Sequence, residues 1–167
     1  YEPRALPTYA LGLAVCTRGA CHNRAAAYDV DLRSPGNTLD DAERVRAVID
    51  AEETAIAWDT LLLCKFVRGC FDDFWREAAE LYSAVSGRRF DGAALRSEAR
   101  STWHRKRMIN VRLGWTPQED ELPPRLYDCL EQGPHAGARI DPERLAELRR
   151  RYERLRSAEA ALAVEPC

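Results

Sequence analysis

Methionine is nearly missing from this 167-residue chain: Met108 is the only one, and the sequence opens on Tyr1. A primary translation product begins with methionine, so a processed, excised or incomplete piece of a longer protein is expected. No stretch approaches the ~20 consecutive apolar residues that a membrane span requires. Tyr1-Glu2-Pro3-Arg4 also lacks the basic-then-apolar layout of a signal peptide. A cytoplasmic protein with no membrane partner is therefore expected. A formal net charge of −2 gives no overall pull towards nucleic acid. No segment alternates β-branched with polar residues, which leaves no candidate strand, and no internal repeat is present.

Cysteine, by contrast, is plentiful: Cys16, Cys21, Cys64, Cys70, Cys129 and Cys167. Without a secretory context, thiols more often serve metals or catalysis than disulfides. Cys16-x4-Cys21 lies at the loose edge of zinc-ligand spacing and Cys64-x5-Cys70 lies outside it, so a closed zinc site is a weak reading. A four-cysteine iron–sulfur site is no better supported, because the spacings of Cys16, Cys21, Cys64 and Cys70 follow no cluster pattern.

The periodic segments read as helices, and the fold class is all-α, one compact multihelical unit. Residues 1–24 are a Pro- and Gly-punctuated leading stretch with an apolar run from Tyr9 to Val15, and Asp31 to Asn37 reads as a loop. Thr38 is expected to cap a helix that has Asp40, Asp41 and Glu43 at its positive end and runs to Cys64, with a break expected near Glu52. Phe71 to Val85 forms the next helix, closed by Gly87. Asp91 caps a third that runs towards Leu113 and Gly114. Residues 115–124 and 133–137 are irregular. Asp141-Pro142-Glu143 starts a last helix whose stripe is Leu145, Leu148, Tyr152, Leu155 and Leu162.

Two short motifs carry the chemistry. In Arg18-Gly19-Ala20-Cys21-His22 a thiol and an imidazole follow a glycine that lets the backbone turn or approach a ligand closely. His22 is suited to proton exchange with a reacting oxygen near neutral pH. The plain alternative is a buried cysteine and a histidine hydrogen-bonded at a helix start. In Asp59-Thr60-Leu61-Leu62-Leu63-Cys64 a carboxylate precedes a second thiol. Such a carboxylate suits a planar donor edge, an arginine or the amino-pyrimidine edge of a pterin, because two parallel hydrogen bonds fit it. The plain alternative here is an N-cap aspartate and a core cysteine. His104-Arg105-Lys106-Arg107 and Arg149-Arg150-Arg151 read as solvated or salt-bridged helix faces rather than nucleic-acid stripes.

The order of several motifs narrows these alternatives. Tyr1-Glu2-Pro3-Arg4, Ala10-Leu11-Gly12 and Arg18-Gly19-Ala20-Cys21-His22 come first. Asp59 to Cys64 with Lys65-Phe66, then Arg107-Met108-Ile109-Asn110, Gly114 and Asp120-Glu121-Leu122-Pro123-Pro124-Arg125 follow. This series resembles the tungsten-containing aldehyde:ferredoxin oxidoreductase family over residues 1–125, with weaker support to about 150. The resemblance implies the C-terminal helical part of such an enzyme. Residues 1–37 would be a cofactor-facing leading segment and loop, and 38–167 a helical body.

It further implies His22 as the active-site histidine and Cys64 as the fourth ligand of a [4Fe–4S] cluster. Asp59 would contact the pterin, and Arg18, Gly19, Ala20 and Cys21 would face the cofactor. The implied reaction oxidises an aldehyde to a carboxylic acid at a tungsten (or molybdenum) bis-pterin. Its implied partners are an N-terminal cofactor-binding domain of the same protein, ferredoxin and a small aldehyde, and a homodimer is left open. This piece alone would hold no cofactor stably and would be inactive. Two departures stand out: Leu62 occupies a position where the family usually has glycine, and the last helix is unusually charged and alanine-rich. A non-catalytic helical scaffold or subunit-interaction domain that kept the family fold is the alternative.

Overall fold

The computed structural model describes residues 1–25, 27–34 and 38–162, and among these every regular element is a helix. The elements are α1 (Pro7–Val15), α2 (Tyr28–Arg33), α3 (Asp41–Thr60), α4 (Phe74–Ser86), α5 (Gly92–Arg112) and α6 (Pro142–Leu162). Short 3-10 turns cover Pro3–Ala5, Lys65–Cys70, Pro117–Glu119 and Pro124–Leu126. The all-α expectation holds.

Helix α1 is the centre of the core because nearly every side chain on it is apolar or small. Leu11 and Val15 are fully buried, and Ala10 and Ala14 nearly so. They pack with Val45 and Val48 of α3, Ala99 and Trp103 of α5, and Leu145, Leu148 and Tyr152 of α6. The 9–15 run is thus a helix rather than part of an irregular stretch. It carries no capping side chain of its own, since Leu6 stands at the N-cap. The cap comes instead from Asp31, which accepts from the Thr8 and Tyr9 amides at 2.9 and 3.0 Å and from the Thr8 hydroxyl at 2.5 Å. The same carboxylate takes the fully buried Arg44 guanidinium of α3 at 2.9 Å. Asp31 lies within α2, so the loop expected from residue 31 starts later; α2 is too short to show helical periodicity. The rest of that expected loop, residues 35–37, lies outside the described residues.

Helix α3 begins with a reciprocal capping box rather than a Thr38 cap. Asp40 accepts from the Glu43 amide and Glu43 from the Asp40 amide, both at 2.8 Å. It runs without the break expected at Glu52, because the adjacent buried carboxylates Glu52 and Glu53 are both matched by charge. Tyr152 donates to Glu52 at 2.5 Å and Arg156 donates to it at 2.9 Å. Glu53 receives Arg96, Arg100 and Arg156 at 2.7, 3.0 and 3.1 Å. Burial pushes the Glu52 carboxyl up from its ordinary range against the opposing pull of Arg156. The helix ends at Thr60, short of the expected Cys64.

The remaining helices follow their signals closely. Asp73 caps α4 at the Arg76 amide, which leaves Phe71 before the helix, and Gly87 closes it in the left-handed region at φ 71°. Asp91 caps α5 at the Ala94 amide at 2.7 Å. Asp141 accepts from the Glu143 and Arg144 amides at the start of α6. The stripe on α6 departs from expectation at its C-terminal end. Leu155 is exposed and Arg156 is buried instead, continuing the four-residue step from Leu148 and Tyr152. The Leu162 side chain lies outside those described. The basic faces are salt-bridged as expected: Arg150 and Arg151 pair with Glu147, and Arg107 with Asp120 and Glu153.

Replacing Asp31 by alanine strips α1 of its cap and leaves Arg44 buried without its carboxylate. Loss of one partner of a buried pair costs about 3–5 kcal/mol. Urea unfolding of Asp31→Ala is expected to show a loss of that size, with the midpoint shifted at an unchanged slope.

Candidate functional site

The chain between α1 and α2 is a series of tight turns. The Gly19 amide donates back to the Cys16 carbonyl at 2.9 Å, with Gly19 at φ 82°. The Arg24 amide donates to Cys21 at 3.1 Å. Asn110 of α5 pins the turn from outside, donating to the Thr17 carbonyl at 2.7 Å. Gly12 of α1 lets the turn lie flat on the helix, since a Cβ there would stand 2.7 Å from the Ala25 carbonyl oxygen. Cys16 is buried in the core, and burial raises its thiol to about 11. Arg18, Gly19, Ala20 and His22 are exposed and Cys21 is half-buried. The plain reading of His22 fails, because this residue sits in a turn well before α2 and its ring faces solvent.

The second motif is the C-terminal end of α3. The Leu62 amide donates to Asp59 at 3.2 Å and the Leu63 amide to Trp58 at 3.0 Å. This is a Schellman closure, and its left-handed residue is Leu62 at φ 56°. Glycine takes that conformation freely and leucine does not. The helix cap is therefore a sufficient physical reason for glycine at this position. The turn releases Cys64 to the surface, so the core-cysteine reading fails. Leu62 and Phe66 beside it are 91% and 99% exposed. Trp58 stacks on Phe74 at 5.1 Å and meets Phe71 edge-on at 5.4 Å, which fastens the segment to α4.

Asp59 is no N-cap. It sits in the last turn of α3, where the helix dipole disfavours a carboxylate, and Arg24 compensates with Nε 2.7 Å from Oδ2. Lys65 reaches the same turn, donating to the Asn23 carbonyl at 3.3 Å and to the Asn23 side chain. Burial, with repulsion from Arg68 and Arg24, holds the Lys65 ammonium below its usual range. These contacts bring the two sequence motifs onto one surface. Arg24 and Asn23 carry no local signal that would single them out.

The later motifs support that surface. Arg107 is buried between Asp120 at 2.6 Å and Glu153 at 2.7 Å, with its guanidinium 3.4 Å from the Trp115 ring centre. Trp115 donates to Asp120 at 2.9 Å. This clamp and the buried Leu122 seat residues 122–126 next to the leading segment. A hollow of about 820 Å3 opens there, lined by His22, Tyr9, Leu13, Leu122 and Arg125 among others. Among the described residues no group of three or more His, Cys, Asp or Glu side chains could hold a metal ion by itself.

Among the described residues, fold and site define a helical domain that displays isolated ligand-type side chains on its surface. Residues 1–159 match the sequence model described as aldehyde ferredoxin oxidoreductase, domains 2 and 3, and the chain belongs to that family. It is similar to the tungsten-containing aldehyde ferredoxin oxidoreductases of Pyrococcus abyssi (28% identical over 163 residues) and Thermococcus kodakarensis (26% over 163). That of Pyrococcus furiosus is 27% identical over 165 residues. Each match covers 93% of this chain but 26% of the relative, so the chain spans about a quarter of their length.

Two substitutions test the backbone account. Leu62→Gly removes a left-handed leucine and is expected to stabilise the domain by about 1 kcal/mol, read as a raised urea midpoint. Gly12→Ala forces the 21–25 turn off α1 and is expected to destabilise by about 1–3 kcal/mol through overpacking, with amide-exchange protection lost at Arg24 and Ala25.

Proposed function

We propose that this chain forms one wall of a tungsten–pterin aldehyde-oxidising site whose remaining walls lie elsewhere in a larger protein. The reading rests on one observation above all: the Arg24–Asp59 ion pair joins the His22 turn to the Cys64 turn on a single exposed surface. The residues fit the groups the family name implies. Cys64 is a free, exposed thiol suited to be one ligand of a [4Fe–4S] cluster, with three ligands drawn from outside this chain. Asp59 accepts Arg24 through Oδ2 and, among the described contacts, keeps Oδ1 for a pterin N–H donor. Arg18, Gly19, Ala20 and Cys21 form the face of the turn that meets the cofactor. When bound, the tungsten cofactor supplies a two-electron acceptor and the cluster a one-electron relay to ferredoxin.

The protein's own part is positioning and proton handling. Net oxidation of an aldehyde adds one oxygen from water and releases two electrons and protons. His22, exposed at the hollow, holds an imidazole that orients the substrate oxygen by donating to it or takes a proton as the acid forms. Asn110 and Gly12 keep the turn in place, and Leu122 and Tyr9 give the reacting carbon a partly apolar surround. The 1–37 segment thus serves as the cofactor-facing part and the remaining helices as its support.

The test uses the full-length protein. His22→Ala is expected to lower kcat for aldehyde oxidation at least a hundredfold, with tungsten and iron contents unchanged. Cys64→Ser is expected to abolish the visible absorption of the cluster and lower the iron content. Unchanged turnover in His22→Ala would instead favour the scaffold reading, in which the domain keeps the family fold without acting in catalysis.

A further inference from the structure

The hollow that holds His22 contains two arginines in very different states. Arg4 is already committed: its Nε and Nη2 grip Glu2 at 2.9 and 3.0 Å, and it also reaches the Asp128 carbonyl at 3.5 Å. The Arg4 hydrogen bond holds the Glu2 carboxyl down to about 2, so the clasp stays closed through the neutral range. Arg125 lines the same hollow, and among the described residues no carboxylate pairs with it. Arg44, Arg96, Arg100, Arg107 and Arg156, by contrast, are each matched to one or more carboxylates.

The backbone that carries Arg125 is also held rigidly. It sits in the 3-10 turn Pro124–Leu126, entered through Pro123-Pro124, whose rings fix two successive φ angles. Leu122 on one side is buried, and on the other the Leu126 amide bonds to Pro123 at 2.9 Å while its carbonyl accepts from Ile140 at 3.3 Å. Little backbone freedom remains to be lost when a ligand arrives, and the exposed side chain is the part that must be ordered.

We propose that Arg125 binds the carboxylate of the product acid, in the hollow that carries His22. The assignment rests on the aldehyde-oxidising reading above. The chemistry supplies the logic, because the reaction turns a neutral aldehyde into an anion at that carbon. A planar guanidinium takes a carboxylate through two parallel hydrogen bonds, whereas a neutral carbonyl gains only one. An unpaired arginine therefore separates product from substrate by charge. Its exposure keeps the hold modest, so the acid is drawn off the reacting position and still leaves.

The experiment uses the full-length protein with benzaldehyde as substrate and benzoate as product. Arg125→Gln is expected to raise the benzoate inhibition constant at least tenfold while the benzaldehyde KM moves less than threefold. Arg125→Lys should fall between, and Arg89→Gln, a charge loss far from the hollow, should leave both values alone. Calorimetric titration of benzoate into the same proteins without turnover should show the same order of affinities. An unchanged benzoate constant in Arg125→Gln overturns the proposal. So does a variant that weakens only 4-carboxybenzaldehyde, because Arg125 would then hold a carboxylate borne by the substrate. If wild-type protein fails to oxidise benzaldehyde and other aldehydes, the functional reading falls, and the calorimetry still decides whether Arg125 binds a carboxylate.

Discussion

One carboxylate, Asp31, sets the geometry on which the site depends. It closes the N-terminus of α1 through two backbone amides and a hydroxyl and neutralises Arg44 inside α3. The most apolar helix of the chain has no cap of its own and borrows one from α2. With α1 and α2 tied to α3, both ends of the intervening turn are fixed, and the turn is left with few ways to run. Charge inside the core acts here as a locator: the desolvation cost of Arg44 is offset only when all three helices are in register.

The proposed functional surface is assembled from pieces that share no element. The His22 turn follows α1, the Cys64 turn follows α3, and the Leu122 to Arg125 turn lies between α5 and α6. Each is held by a contact reaching across the fold: Asn110 on Thr17, Arg24 on Asp59, and Arg107 on Asp120. Two of these use the Arg107-x-x-Asn110 motif, whose members hold two different segments from one helix. The motif thus braces the turns of the proposed site.

Helix content and most starts were legible because their signals are local. Asp91, Asp141-Pro142 and Gly87 act within one turn of where they stand. Helix α2 and the continuity of α3 were not legible, because α2 is too short for periodicity and the partners that let Glu52 and Glu53 be buried, Arg156 and Tyr152, lie about a hundred residues away. At the proposed site, motif order pointed to His22, Asp59 and Cys64, and the Arg24–Asp59 pair links the turns that carry them. What pattern alone could not supply was the joinery: Arg24, Asn23 and Lys65 meet only in three dimensions. Leu62 is instructive in another way, since a departure first noticed as a missing glycine becomes a matter of helix termination.

The adjacent buried carboxylates of α3 have a consequence for the order in which the chain is built. Glu53 finds two of its cations on α5, but Glu52 finds its arginine and its tyrosine only on α6. During synthesis α1 to α5 emerge first, with α3 carrying an uncompensated negative charge at the place where the core must close. The core is therefore completed late, once α6 has cleared the ribosome.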